Sequence, residues 1–376
     1  NLMTLFPNLI FLGLLLFGIG FFTRNISRIR RNILIGKEMY RSDNKSQRWA
    51  YMIRVALGQS KMGTKPIAAF LHFIVYVGFI LINIELLEIV LDGLLGSHRL
   101  FAPLLGRFYD FLIGCFEVLA FLVLITVIVF WMRRNVIRIK RFWKPEMKGW
   151  PKMDADFILY FEVILMLLFL SMNASDSILQ DRGIETYVNA GSFPISQFLY
   201  PLFDGLSDEV LIVFERSFWW AHIIGILVFL NYLYYSKHLH ILLAFPNTFY
   251  ANLESEGGFE VDPHIKNEVM LMMYPEKLIS DNEVSPPDKF GANDIFDLKW
   301  TQLMNAYSCT ECGRCSEVCP ANLTGKKLSP RKIMMDTRDR LEEVGKNIDA
   351  NKGVFKDDNK KLLNNYISSE ELWACT

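Results

Sequence analysis

Apolar residues dominate five stretches of the chain, residues 5–22, 66–91, 109–131, 155–179 and 218–235. A helix needs roughly 20 residues to cross a bilayer, so each stretch is predicted to be a membrane-spanning helix. The first is also short enough for a signal peptide. No basic segment precedes it, however, and no small-residue cleavage site follows it. Arg24 and Arg28 follow instead, as in a stop-transfer flank. Beyond about residue 245 the apolar runs end. Residues 246–290 read as an acidic linker with some short helix, and residues 254–287 carry most of its acidic, Pro- and Gly-containing character. Farther on, residues 329–343 and 359–366 read as helices, the first opened by Ser329 as N-cap and Pro330 at the first helical position.

Charge sharpens this division. The total is neutral, with 40 Lys+Arg against 40 Asp+Glu, yet residues 251–376 carry a net −6 and the first 250 residues +6. Residues 24–65 hold 11 Lys+Arg against 2 acids, and residues 133–152 hold 8 against 1. Residues 176–216 hold 2 against 7. Basic residues collect in cytoplasmic loops, so with five spans the N-terminus is expected outside and the C-terminal half inside. Trp131, Trp143, Trp219 and Trp220 lie near span ends, where interfacial aromatics belong. At 52% hydrophobic and 21% charged, the chain is neither disordered nor collagenous. It begins at Asn1 and stops at Thr376, and is expected to be a fragment of a longer protein.

Four of the six histidines belong to or flank the second and fifth spans: His72, His222, His238 and His240. An imidazole at membrane depth is costly and points to function. Haem iron within a bundle takes two axial imidazoles from facing helices. His222 and His240 are 18 residues apart, five whole turns or about 27 Å on one face of an unbroken helix. That spacing suits two stacked haems, with His72 at the depth to face His240. His238 would project from the opposite face. The bland alternative for His238 and His240 is a basic juxtamembrane segment. His222 lacks an evident partner, since Ile82 and Asn83 are poor ligands and His98 falls in a loop.

The soluble part holds Cys309, Cys312, Cys315 and Cys319, the last followed by Pro320. This C-x2-C-x2-C-x3-C-P run is that of a two-cluster ferredoxin. Three thiolates would hold one 4Fe–4S cluster, and Cys319 would serve another. A zinc site wants two separated ligand pairs, and a disulfide conflicts with a reducing compartment. Cys375 is the candidate first cysteine of a second motif, so the second cluster would lie only partly within this chain. Cys115, in the third span, reads as a small buried hydrophobe.

These residues carry a resemblance. The stretch 290–322, with Trp300-Thr301-Gln302-Leu303 leading into Tyr307-Ser308-Cys309-Thr310-Glu311-Cys312-Gly313-Arg314-Cys315, and the run Leu323–Pro330 resemble heterodisulfide-reductase-related iron–sulfur oxidoreductases. Within them the chain looks like the membrane-bound electron-transfer-flavoprotein:menaquinone oxidoreductase group. The membrane half is similar to the nitrate reductase gamma subunit, a five-helix dihaem cytochrome b with ligands on its second and fifth helices. His72, His222 and His240 match those positions, and the other second-helix ligand has no counterpart. The resemblance implies a mostly α protein: a five-helix transmembrane bundle over 1–245, then a helical two-cluster ferredoxin-type domain over 291–376, incomplete at its C-terminus. It implies a bacterial cytoplasmic-membrane oxidoreductase. Electrons would pass from an electron-transfer flavoprotein through 4Fe–4S clusters and haem b to menaquinone, with lipid and no nucleic acid as partner. Two alternatives use the same parts: quinol-driven reduction of a cytoplasmic disulfide, and a non-catalytic cluster-bearing subunit.

Overall fold

The computed structural model describes residues 2–254, 263–274, 289 and 291–375. It is 72% helical and, among the described residues, has no sheet. In chain order its main helices are α1 (Leu2–Ile33), α2 (Lys45–Met52), α3 (Pro66–Leu95), α4 (Arg107–Asn135), α5 (Trp150–Asp181), α6 (Asp208–Tyr232), α7 (His240–Phe249), α8 (Pro263–Met273), α9 (Trp300–Tyr307) and α10 (Pro330–Ala350). Helices α1, α3, α4, α5 and α6 are long and apolar enough to cross a membrane, α6 with the turn that extends it to Tyr235. They are the five that hydropathy predicts, each longer than its apolar core. Most of the expected linker (255–262, 275–288 and 290) lies outside the described residues, and α8 is a short helix within it.

The chain divides into two compact units. The first comprises 1–29, 59–240 and 310–314. Pro66 starts α3, and Gly96, at φ 71, ends it by donating its N–H to Asp92 O at 2.8 Å. Helices α3 and α4 pack together, as do α4 with α5 and α5 with α6. Close approach depends on small residues, as in membrane helix pairs generally. A Cβ on Gly78 would stand 2.6 Å from Val123 Cγ2, and one on Gly225 would stand 2.8 Å from Leu165. Phe11, Ile113, Ala120, Phe169 and Ile223 form the interior, while Leu16, Phe17, Ile67 and Phe70 are exposed. Apolar side chains on the outer surface suit lipid.

Polar groups inside this bundle are bonded where they close its loops. Glu117 of α4 is fully buried and accepts from Ile195 N (2.9 Å), Ser196 N (3.1 Å) and Asn173 Nδ2 (3.1 Å). The loop over 190–199 is thereby pinned into the bundle. Arg99 donates through Nε to Asp176 Oδ2 at 2.8 Å and through its fork to Tyr109 and Asn173.

The second unit comprises 30–58, 241–309 and 315–376. Trp300 Nε1 donates to Met39 O at 3.0 Å, and Lys37 and Lys299 form an isolated bridge. Arg48 is buried and donates to Asp43 O, Phe249 O and Ala251 O. Ser329 caps α10 as the sequence predicts, accepting from Lys332 N. Of the helix predicted over 359–366 only a broken turn, Leu362–Asn365, forms. Leu363 is extended and Asn364 lies at φ 74. The chain folds back there, with Asn364 N donating to Ile367 O at 2.7 Å and Leu363 N to Asn293 O at 2.9 Å. Asparagine tolerates the left-handed conformation, and the nearby Arg340 node holds the reversal.

At that node the Arg340 guanidinium is fully buried, while Asp294 and Asp358 keep slight exposure. Arg340 donates through Nε to Asp294 Oδ1 (3.1 Å), through one terminal nitrogen to Asp358 Oδ2 (2.6 Å) and through the other to Lys360 O (2.7 Å). Arg340→Ala strands two carboxylates and should cost about 3–5 kcal/mol, read as a lowered midpoint of thermal or denaturant unfolding. A loss below about 1 kcal/mol, the scale of an exposed pair, would refute the node's structural role.

Candidate redox-cofactor site

Helix α6 stops at Tyr232. A 3-10 turn over Leu233–Tyr235 follows, then Ser236 in an extended conformation (φ −111, ψ 151), then a second turn over Lys237–Leu239 before α7 begins at His240. The expectation of an unbroken helix joining His222 to His240 is therefore not met. Neither the five-turn spacing nor the opposite-face placement of His238 applies across the break. Its cause is local hydrogen bonding. Asp154 of α5 accepts from Tyr232 Oη at 2.7 Å and from Lys237 N at 3.0 Å, and Ser236 Oγ accepts from His238 N at 3.1 Å. These bonds replace those the helix would have made.

The break sets two imidazoles side by side. The rings of His238 and His240 lie 5.4 Å apart at 72°. His72, on α3, lies within electrostatic range of both. His240 Nδ1 sits 3.0 Å from Lys237 O. A carbonyl only accepts, so Nδ1 carries the proton and Nε2 keeps its lone pair, the arrangement of a metal-ligating histidine. Burial, together with His238 and His72 and against the Lys237 carbonyl bond, brings His240 down to about 3. The ring is neutral at neutral pH, the form that binds a metal. Nδ1 of His72 and Nδ1 of His238 are buried without a hydrogen-bond partner, and His238 Nε2 lies 3.6 Å from Glu162.

His222 stands apart, buried beside the Phe169 ring, with Nδ1 bonded to Leu165 O at 3.1 Å. Its Nε2 is again the free nitrogen. His98 is not free to face it. His98 Nδ1 accepts from Val188 N at 3.2 Å, and Nε2 donates to Asp176 Oδ1 at 3.1 Å.

The cysteine motif is shaped by two left-handed residues, Glu311 (φ 55) and Gly313 (φ 76), between Cys309 and Cys315. A helical turn over Arg314–Val318 follows, and Pro320 opens another. Cys309, Cys312 and Cys319 are half-buried, whereas Cys315 and Cys375 are exposed, and none of the six cysteines is in a disulfide. Among the described residues no three His, Cys, Asp or Glu side chains are gathered as a metal set, so the thiols are not preassembled. Burial would raise the Cys312 thiol. Hydrogen bonds from the Arg314 backbone, the Arg314 side chain and Thr310 outweigh it and hold the thiol below its ordinary value. Lys326 Nζ reaches Ala374 O at 3.5 Å, tying the Cys375 segment to the turn after Cys319. An all-thiol donor set at this spacing fits an iron–sulfur cluster.

One residue links the motif to the helix break. The Lys237 side chain is 10% exposed, and its ammonium binds Glu311, Pro151 O at 2.7 Å and, at 3.8 Å, Asp154. Burial lowers Lys237 below the usual lysine value, against the pull of Glu311 and Asp154. Glu311 is itself buried. A carboxylate inside the cysteine run is thus paired with a lysine whose neighbours in sequence are His238 and Ser236.

The fold and these residues define a class: a multi-span helical membrane protein whose extramembrane part carries a ferredoxin-type cysteine run. Comparison with known proteins bears out the resemblance to iron–sulfur oxidoreductases. The chain is 28% identical over 371 residues to the "Probable iron-sulfur-binding oxidoreductase FadF" of Bacillus subtilis, covering 90% of this chain and 47% of that protein. It is 25% identical over 370 residues to the "EtfAB:quinone oxidoreductase" of Syntrophomonas wolfei, covering 92% and 47%. A 46-residue stretch is 45% identical to a "Probable membrane-anchored ferredoxin" of Chromohalobacter salexigens, covering 12% and 7%. The chain spans about half the length of the two relatives it matches throughout. No family model and no solved structure matches it.

Lys237→Gln removes the ammonium and strands Glu311. Hydrogen exchange of the 310–314 amides should then speed up by about tenfold or more, which corresponds to about 1.4 kcal/mol of lost local stability. Unchanged exchange would show that the pair does not hold the motif.

Proposed function

We propose that the chain is the membrane-embedded electron-transfer portion of an iron–sulfur oxidoreductase, carrying electrons between a flavoprotein donor and quinone. The observation that supports it most is the Lys237–Glu311 pair. It fixes part of the cysteine run to the segment that bears His238 and His240. Cys309, Cys312 and Cys315 would hold one 4Fe–4S cluster, and Cys319 with Cys375 would contribute to a second. His72 and His240 would hold haem b, with His238 beside them. Bound clusters and haem supply the one-electron carriers, while the protein supplies ligands, spacing and a low dielectric.

The remaining assignments follow from charge and likeness. The basic loops over 24–65 and 133–152 face the cytoplasm, so the cysteine run meets a cytoplasmic donor. The name of the Syntrophomonas relative points to electron-transfer flavoprotein as that donor and to quinone as acceptor. In a bacterial cytoplasmic membrane the quinone is menaquinone in this reading. His222 would serve a second haem only if another group supplies its facing ligand.

His72→Ala and His240→Ala should each abolish the same haem band in the reduced-minus-oxidised spectrum. Full haem content in both variants would refute the ligand pair. Cys312→Ser should remove one cluster's paramagnetic resonance signal and leave the haem spectrum intact. Survival of every cluster signal would refute the cysteine assignment.

A further inference from the structure

A second polar site lies inside the bundle, toward the end where the acidic loop over 176–216 emerges. Glu85 and Glu88 of α3, Arg99 of the loop after it, Asp176 of α5 and Glu215 of α6 are among the residues that line one pocket there. Glu85 is 13 residues beyond His72 on α3, about 20 Å along the helix.

Four carboxylates of this pocket are bonded. Glu88 accepts from Phe101 N at 2.8 Å and from Tyr109 Oη at 2.7 Å. Asp92 accepts from Ser97 Oγ at 2.6 Å and from Arg99 N at 2.9 Å. Asp176 holds Arg99 and His98, and Glu215 holds Tyr187 and Arg216. Glu85 is the exception. It is 4% exposed, and its Oε2 is buried with no hydrogen-bond partner, yet it lines the pocket. The charged groups that bear on it are Arg99, Glu88, Glu117 and Asp176. Arg99 is already held by Asp176, and Arg216, the other guanidinium on the pocket wall, by Glu215.

Glu85 is thus a buried carboxyl on the pocket wall whose Oε2 meets no donor within the protein. A buried acid with a purely structural role is bonded, as Glu117 is. We propose that Glu85 is a proton-exchange site, loading and releasing one proton through this pocket to water on the acidic-loop side. The step is Glu85–COOH plus H2O giving Glu85–COO⁻ plus H3O⁺. Only an O–H bond breaks and another forms, and no oxidant or reductant is needed. The inference goes beyond the electron-transfer reading and does not depend on it.

The test uses the full chain in lipid vesicles and a hydrophobic carbodiimide, which attacks protonated carboxyls in apolar surroundings. Peptide mass spectrometry should find the adduct on Glu85, with its yield falling about tenfold per pH unit once the group ionises. In infrared spectra, Glu85→Gln should remove a carboxylic C=O band that shifts in D2O, while Glu185→Gln, at an exposed loop position, should leave that band. Absence of the adduct at every pH, or an adduct whose yield ignores pH, overturns the proposal. So does a Glu85 band that does not shift in D2O. The labelling arm uses the unaltered protein, so misfolding of the variant does not blunt it.

Discussion

The ammonium of Lys237 is the constraint on which the site depends. Placed near the end of the last span, it must find anions and carbonyls or forfeit its charge. Asp154 from α5, the Pro151 carbonyl and Glu311 from the cysteine run supply them. Asp154 also accepts from Tyr232 Oη and Lys237 N, so the same carboxylate holds the break between α6 and α7 beside the ammonium. A buried pair of this kind adds little net stability over an apolar one, because desolvation offsets attraction. Its consequence is specificity. Any register that separates Lys237 from Glu311 leaves the buried Glu311 carboxylate without this ammonium, so one placement of 310–314 is favoured.

Polar groups are handled differently at the other end of the bundle. There the buried charges close loops. Glu117 gathers Ile195, Ser196 and Asn173, and Arg99 joins Asp176 to Tyr109. Each has its partners within the bundle and none requires a cofactor. The histidine cluster contrasts with this, because it leaves imidazole nitrogens unbonded. Unsatisfied nitrogens at membrane depth are costly, and a metal is one partner that removes the cost.

Much of this was legible in the sequence, for identifiable reasons. The five spans follow from continuous apolar runs, and the α10 start follows from Ser329 and Pro330, whose cap chemistry is local. The break after Tyr232 was not legible. No Gly or Pro marks it, and its cause is Asp154, 78 residues away. A periodicity argument across 222–240 assumes helical continuity, which only that distant carboxylate interrupts. The helix expected over 359–366 failed for the same kind of reason, since its backbone is claimed by Asn293 and held near Arg340. Glu85, Glu88 and Glu117 offered a usable signal, charge within apolar runs.

His222 and His240 now separate. Both anchor Nδ1 to a carbonyl, at 3.1 and 3.0 Å, and so expose Nε2 alike. Sequence spacing treats them as equivalent. Their surroundings do not. His240 lies with His238 and within range of His72, whereas His222 lies against Phe169 and Leu165, and His98, the nearest sequence candidate to face it, has both nitrogens engaged. A bis-imidazole site needs two free nitrogens facing one space. That requirement favours the helix break over the middle of α6. If His222 holds a cofactor, His98 is not the residue that faces it, because both its nitrogens are engaged.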